Sequence, residues 1–430
     1  MTETVQQALD ELTRLHPKKI DLGLERIERV LKALGDPHLL LPPTVHIAGT
    51  NGKGSTTAFL RAMAEAQGLK AHVYTSPHLV RFSERIIVGS EQIDDRVLVN
   101  VLTRVREANA GAPLSFFEAT TAAAFLAFSE APADMCILEV GLGGRYDATN
   151  VIDMPAVAAL TPIALDHAEF LGRDIAAIAR EKSGIFKFNG VAFAGPQTDL
   201  VDAVIEAEAN KMNIQLSQWG REFRAYKQQG GLVFETENEV MDLPKPGLIG
   251  DHQYMNAGLA VALARHMQIS REAIARGMES VKWPARMQNL TSGPLAEKIS
   301  AIGGELWLDG GHNPHAASAI AAVVADLETR VPRPLVLITG MLANKDVGGF
   351  LDKYAGLAAH IIAVDIPGHA SLAAETLAEL ASSRGISSYM ADDIGTAIDL
   401  AAKMKDGDLA PRILICGSLY LSGEVLKENG

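Results

Sequence analysis

The run Val45-His46-Ile47-Ala48-Gly49-Thr50-Asn51-Gly52-Lys53-Gly54-Ser55-Thr56-Thr57 places an apolar strand, a glycine-rich turn and the start of an amphipathic helix in succession. Backbone N–H groups and a helix N-terminus then converge on one spot with a lysine beside them, an arrangement that suits a polyphosphate. The glycines let the backbone approach phosphate oxygens closely and take up positive φ. Lys53 supplies a mobile point charge, and Ser55 or Thr56 a hydroxyl at the helix start. The spacing departs from the strict phosphate-loop pattern, because Gly54 stands where a hydroxyl residue usually follows Gly-Lys and the first glycine lies closer to the lysine.

Further groups fall just after other apolar runs. Glu139 ends the run Cys136-Ile137-Leu138 and precedes Gly141, Gly143 and Gly144, where a carboxylate beside a phosphate loop is placed as a Mg2+ ligand. The third glycine is misplaced for a dinucleotide fingerprint. His167 follows Leu165-Asp166, again at the edge where open α/β sheets bind ligands. Lys182, in Glu181-Lys182-Ser183-Gly184, has a chemical option beyond a solvated ammonium: beside a divalent metal a lysine amine can combine with CO2 to form a carbamate. In the second half, Asp309 and His312 of Asp309-Gly310-Gly311-His312-Asn313-Pro314-His315 are placed for a ribose hydroxyl and for a base or phosphate. Arg286 is placed for a terminal phosphate.

The elements that must position these groups read as strand–helix alternation. Strands are expected over 44–48, 71–75, 135–140, 157–161 and 191–194, with helices over 55–67 and 117–128 between them. Continuous apolar strands, each followed by a helix, imply a doubly wound α/β domain with a mostly parallel sheet. Alternating segments around Gln228-Gln229-Gly230-Gly231 imply an antiparallel hairpin between 219 and 243, and helices follow over 252–267 and 271–281. A second βα series has strands over 305–309, 335–339, 361–365 and 413–416. The expected domains are 1–290 and 291–430.

Composition limits the partners. The 430 residues carry 39 Lys and Arg against 52 Asp and Glu, a net charge of −13, with 48% hydrophobic residues. This is a globular composition, and its acidic balance argues against nucleic-acid or membrane-surface binding. Cys136 and Cys416 sit in apolar runs and read as buried thiols of a reducing compartment. The acidic start Met1–Asp10 lacks a basic-then-apolar leader, so a cytoplasmic location is expected.

Taken together, the motifs resemble the folylpolyglutamate synthase and dihydrofolate synthase family of the wider Mur ligase superfamily. The resemblance is carried in chain order by Gly49–Ser55, Thr75-Ser76-Pro77-His78-Leu79, Ser83-Glu84-Arg85-Ile86, Phe116-Phe117-Glu118, Leu138–Asn150, Leu165-Asp166-His167 and Glu181–Phe186. It continues through His252-Gln253-x-x-Asn256-Ala257, Trp283-Pro284-Ala285-Arg286 and Asp309–His315. It implies an N-terminal Mur-type ATPase domain, a smaller C-terminal Rossmann-like α/β domain, and ligation of L-glutamate to dihydropteroate and reduced folates with ATP. By resemblance, Gly49, Thr50, Asn51, Gly52, Lys53, Gly54 and Ser55 hold phosphates, Asn256 contacts adenine, Arg286 the γ-phosphate, and Asp309 and His312 the nucleotide. Ser76, Glu139 and His167 hold Mg2+, with two such sites expected and K+ a candidate further ion. Lys53, Lys182, His167 and Arg286 are the expected catalytic groups, Lys182 being the carbamylated position. Ser76, Pro77, His78, Arg81, Arg85, Phe117 and Asp147 line the pterin or folate site, Asp147 in the manner of the bifunctional bacterial type. A monomer is expected.

Two rivals are weaker. A peptidoglycan Mur ligase would need a UDP-sugar domain ahead of the phosphate loop, where this chain has 48 residues before Gly49. A non-enzymatic ATP-binding module leaves the second half without a role. The chain departs from the family pattern in four places: Gly311 and Gln288 stand where alanine and glutamate are usual, Ala285 where glycine is usual, and Gly368-His369-Ala370 where an arginine often follows Pro367.

Overall fold

A computed structural model describes residues 4–14 and 23–430. The chain divides into two compact units: residues 1–77, 81–247 and 254–281 form the first, and residues 78–80, 248–253 and 282–430 the second. Among the described residues, no helix is long and apolar enough to cross a membrane.

The first unit is built on eight strands: β1 (Thr44–Ala48), β2 (Ala71–Tyr74), β3 (Ile86–Val88), β4 (Glu91–Gln92), β5 (Met135–Glu139), β6 (Val157–Leu160), β7 (Val191–Ala194) and β8 (Gln215–Gln218). Their order across the sheet is β4-β3-β2-β5-β1-β6-β7-β8. Every pairing is parallel except β2 with β3 and β3 with β4. All residues of β1, β2, β5 and β6 are buried, as both-faced coverage of a parallel sheet requires. β1 lies between β5 and β6, so the chain leaves its carboxyl end where the strand order reverses, the edge at which open α/β sheets form ligand crevices.

The helix Lys53–Ala66 that follows is locked from outside by the helix Arg271–Ser280. Gly277 permits this approach, since a side chain there would meet the Met63 backbone, and the Arg276 guanidinium caps the helix end by donating to the Ala66 carbonyl at 2.6 Å. A small antiparallel sheet is formed by β9 (Phe223–Gln228), β10 (Gly231–Thr236) and β11 (Val240–Leu243). Gln229 and Gly230 turn the first hairpin at φ of 48° and 84°, the doubly left-handed geometry that matches strand twist.

The second unit has six strands, β12 (Gln288–Asn289), β13 (Glu305–Leu308), β14 (Leu335–Thr339), β15 (His360–Ala363), β16 (Ser387–Met390) and β17 (Arg412–Cys416), ordered β12-β13-β17-β14-β15-β16. β12 pairs antiparallel with β13 and the rest are parallel. The pairing of β12 draws residues 282–290 into this unit, so its start lies ahead of the junction expected at 290.

Arg412, at the start of β17, is 1% exposed. Its Nε donates to Glu305 at 2.8 Å, its Nη2 to the Val331 carbonyl at 3.1 Å, and its Nη1 pairs with Glu328. Burial alone would raise the Glu305 carboxyl, but hydrogen bonds from Arg412 and Trp307 outweigh it and hold the group below its ordinary value. Removing the guanidinium leaves two partly buried carboxylates facing each other. Arg412→Met is expected to destabilise the chain by on the order of 3 kcal/mol in urea unfolding. Because the Glu305 pKa is depressed, that pair's contribution is complete above about pH 4.3 and fades as pH falls through the folded-state value.

Candidate active site

In the first unit the phosphate loop has the backbone its glycines predict. Gly49 and Gly52 sit at φ of 146° and 92°. A Cβ on Gly49 would strike the Thr161 hydroxyl, and one on Gly52 the Asn256 side chain, so the loop is a cradle that only glycine leaves open. Thr50 and Asn51 donate their amides to the Pro162 carbonyl at 3.0 and 3.3 Å, and the Thr50 hydroxyl exchanges hydrogen bonds with Ala164, which pins the loop to the segment after β6. The first i→i−4 helical bond runs from Thr56 N to Gly52 O, so the amides of Lys53, Gly54 and Ser55 precede it and form the helix's donor end.

Two lysines converge on this loop. Lys53 Nζ lies 3.2 Å from the carbonyls of Gly49 and Thr50, and Lys182 Nζ donates to the same Gly49 carbonyl at 2.9 Å. Burial, and then the like charge of Lys53, lower the Lys182 pKa to about 7, against partial support from Asp166, Asp147 and Glu181. Such an amine is largely neutral just above neutrality, which is the form that reacts with CO2.

The second glycine loop packs beside it. Asp147, buried, accepts from the amides of Gly141 (3.1 Å), Leu142 (2.9 Å) and Thr149 (3.0 Å) and from the Thr149 hydroxyl (2.6 Å). Burial raises its pKa, and these four donors oppose the rise. Gly144 lies so close to the backbone of Glu181 and Lys182 that a Cβ would contact it at 2.8–2.9 Å. Phe117 presses its ring edge on Gly141, and its centroid is 6.0 Å from that of Tyr74. Glu139 ends β5 in register with Ile47 of β1, and Ser76 and Pro77 follow β2, joined by a cis peptide bond. His167 caps a short helix at φ of 51°, with Nε2 4.0 Å from Asp166.

Expected substrate residues are more dispersed. Arg85 lies over the Phe82 ring at 5.1 Å, whereas Arg81 forms a surface ion pair with Asp95. His78 belongs to the second unit. In that unit the Trp283–Arg286 turn docks on the loop after β13: Gly310 donates to the Ala285 carbonyl at 2.9 Å, and Asp309 accepts from Met287 N and Gly311 N at 2.8 and 2.7 Å. His312 Nδ1 is 3.0 Å from the Gly310 carbonyl, and Arg286 Nη1 donates to the Ala285 carbonyl at 2.8 Å.

The departures from the family pattern are accommodated here. Ala285 takes the left-handed φ of 54° that glycine would adopt more readily, and Gln288 caps its amide at 3.0 Å. Ile320 occupies the space a methyl on Gly311 would need. His369 stacks on Tyr420 with centroids 3.9 Å apart.

A divalent ion fits the chemistry of the first unit. Thr56 Oγ1, Glu181 Oε1 and Ser183 Oγ are buried with no partner among the described residues, and the set with Ser76 and Glu139 is rich in the oxygen donors Mg2+ prefers. Among the described residues no three His, Cys, Asp or Glu side chains stand grouped to hold a metal alone.

The Mur ligase middle domain model matches residues 47–264, and the Mur ligase, glutamate ligase domain model matches residues 296–419. The Escherichia coli dihydrofolate synthase/folylpolyglutamate synthase is 34% identical, over 97% of this chain and 94% of that protein. The structure of E. coli FolC in complex with DHPP and ADP superposes with a TM-score of 0.87 at 31% identity, covering 99% of this chain and 97% of that one. A bifunctional folylpolyglutamate synthase/dihydrofolate synthase with Mn, AMPPNP and L-glutamate bound gives 0.86 at 31% identity, covering 99% and 98%. With the whole chain aligned and the loop, the buried lysine and both sheets in place, this protein belongs to the folylpolyglutamate synthase/dihydrofolate synthase family of Mur ligases.

Proposed function

We propose that this chain, an ATP-dependent ligase by family, joins L-glutamate to dihydropteroate and to reduced folates through an acyl phosphate. The observation that carries the reading is the pair of lysines on one carbonyl: Lys53 and Lys182 both point at Gly49 O above a glycine cradle. The mobile ammonium of Lys53 and the buried amine of Lys182 thus meet at one carbonyl beside a helix N-terminus, and the cradle admits only a group that approaches the backbone closely, as phosphate oxygens do.

A carboxylate does not condense with an amine in neutral water because it is a poor electrophile. Transfer of the γ-phosphoryl group of ATP to the substrate carboxylate gives a mixed anhydride. The α-amine of glutamate then attacks its carbonyl carbon; the C–N bond forms, the C–O bond to phosphorus breaks, inorganic phosphate departs and the amine loses a proton. Lys53, the helix N-terminus and Arg286 offset the charge gathered as one anion approaches another. Mg2+ in two sites, held by Ser76, Glu139 and His167 together with phosphate oxygens, would supply further neutralisation; K+ is a candidate additional ion. Lys182 serves as a carbamate, an anion in place of a cation. Asn256 contacts adenine, Asp309 and His312 the nucleotide, and Phe117, Asp147 and the segment from Ser76 to Arg85 frame the pterin. The enzyme acts as a cytoplasmic monomer. With a net charge of −13 the surface as a whole repels ATP, glutamate and folate, so attraction must come from these local groups.

The test is product formation from ATP, Mg2+ and labelled glutamate with dihydropteroate and with tetrahydrofolate, offered separately. Product with each is expected. Product with dihydropteroate alone removes the polyglutamylating half of the reading, and product with neither removes all of it.

A further inference from the structure

His46 lies in the middle of β1, three residues ahead of Gly49 at the start of the phosphate loop, and is fully buried. Nothing in the mechanism above uses it. Its Nε2 is 2.8 Å from the Thr149 hydroxyl, while Nδ1 has no partner among the described residues.

The direction of that hydrogen bond follows from the proton count around Thr149. The Thr149 hydroxyl has one hydrogen and spends it on Asp147 Oδ1 at 2.6 Å. Asp147 cannot return a proton, because both its oxygens already receive N–H donors, from Thr149 on one side and Gly141 and Leu142 on the other. The Thr149 oxygen therefore accepts, and His46 donates through Nε2–H as the neutral tautomer. Burial holds the ring in that form, with its pKa lowered to about 3.

The bonds continue from there in a closed path. Asp147 fixes the amides of Gly141 and Leu142 and so the loop that carries Gly144 and Arg145. Arg145 N donates to the Glu181 carbonyl at 2.9 Å, and Asn150 Nδ2 ties the carbonyls of Arg145 and Gly184 at 2.9 and 3.1 Å. Between those ties stands Lys182, whose Nζ reaches Gly49 O, three residues beyond His46 on its own segment.

We infer that His46 is a positioning residue for the ligase reaction, orienting Thr149 and Asp147 so that the 141–145 loop seats Lys182 on the phosphate loop. The inference rests on the ligase reading above. The path runs through Asp147, assigned to the pterin site, to Lys182 and the phosphate loop and touches no group assigned to glutamate, so its loss acts on kcat and spares the KM for glutamate.

The test uses His46→Leu, which keeps apolar volume without a donor, and His46→Gln, whose Nε2 reaches about as far as that of histidine. Thr149→Val and the double variant His46→Leu/Thr149→Val complete the set. Breaking the path at the buried bond from His46 to the Thr149 hydroxyl, or at the bond from that hydroxyl to the Asp147 carboxylate, is expected to lower kcat about 10- to 100-fold in His46→Leu and in Thr149→Val. His46→Gln restores most of it, and the double variant is no worse than Thr149→Val within about twofold, because both changes cut one path. Hydrogen exchange supplies a readout independent of turnover: amides 141 and 142 lose protection in His46→Leu while the strands of the first sheet keep theirs, and regain it in His46→Gln.

Multiplying losses in the double variant, or unchanged kcat and unchanged protection at 141–142 in His46→Leu, would overturn the positioning role. If His46→Leu fails to fold, Thr149→Val with unchanged kcat and protection overturns it equally. A wild-type chain that makes no product with any folate overturns the ligase reading instead, and the exchange result still decides whether His46 holds the loop.

Discussion

Replacing Lys53 with alanine is expected to lower glutamate-dependent ADP release about a thousandfold while leaving thermal unfolding within about 2 °C of wild type. The side chain is partly exposed and leans on two carbonyls of its own loop. Its charge, by contrast, is one of few positive groups at the proposed phosphate site of an otherwise acidic molecule. A preorganised cation stabilises charge that develops in the transition state without paying to reorient, which is why a single deletion there costs so much. Lys53→Arg should recover little, since a planar guanidinium does not fit a cradle shaped around a compact ammonium. Near wild-type turnover in Lys53→Ala would remove the phosphate-site assignment.

How much of this was legible beforehand depended on how local each feature is. The phosphate loop is readable because its strand, glycines, lysine and helix start are contiguous, and the helix runs over Lys53–Ala66 and the strand over Thr44–Ala48. The core strands β1, β2, β5 and β6 are readable because they are buried along their whole length and mostly apolar, with Thr44, His46, His72 and Glu139 as polar members. The edge strands Gln215–Gln218 and Ser387–Met390 were not, because they are polar or largely exposed and are held by pairing with one neighbour. β12 was missed for a similar reason: two residues, Gln288 and Asn289, pair only because β13 supplies the template.

Within the site, the hidden features are those that join distant segments. Lys182 meets Gly49 across 133 positions, so the sequence offered its chemistry without its location against the loop. Asp147 read as a substrate group because of its motif, and its four loop donors emerge only when Gly141, Leu142 and Thr149 fold around it. His46 sits in a mostly apolar strand, and the sequence offers one signal for it, a titratable ring in a run that otherwise favours apolar residues. Glu181 belongs to a motif, but the burial of its Oε1 beside Gly143, with no hydrogen-bond partner among the described residues, emerges only from the fold.

Lys182→Met is expected to do two opposite things, losing activity by about two to three orders of magnitude while gaining stability near neutral pH. The native pKa of about 7 lies well below the ordinary lysine value of 10.5, so between those limits the unfolded chain binds a proton that the native chain does not. Stability therefore rises with pH across that window in the wild type, and below about 7 the native state bears the full cost of a buried ammonium. Methionine abolishes the rise and stabilises the protein by on the order of 1–3 kcal/mol at the low end of the window, net of the lost hydrogen bond to Gly49. The same depressed pKa governs modification. Carbamate formation consumes the neutral amine and releases a proton, so bicarbonate added to CO2-depleted enzyme should raise turnover above about pH 7 and lose its effect as pH falls through that value. Lys182→Arg keeps the positive charge but offers no amine, and should stay inactive and indifferent to bicarbonate. If Lys182→Arg instead restored turnover, the lysine would be acting as a cation and the carbamate reading would fail. If wild-type activity ignored bicarbonate at every pH while Lys182→Met remained dead, its part would be confined to the hydrogen bond that closes Gly49 against the second glycine loop.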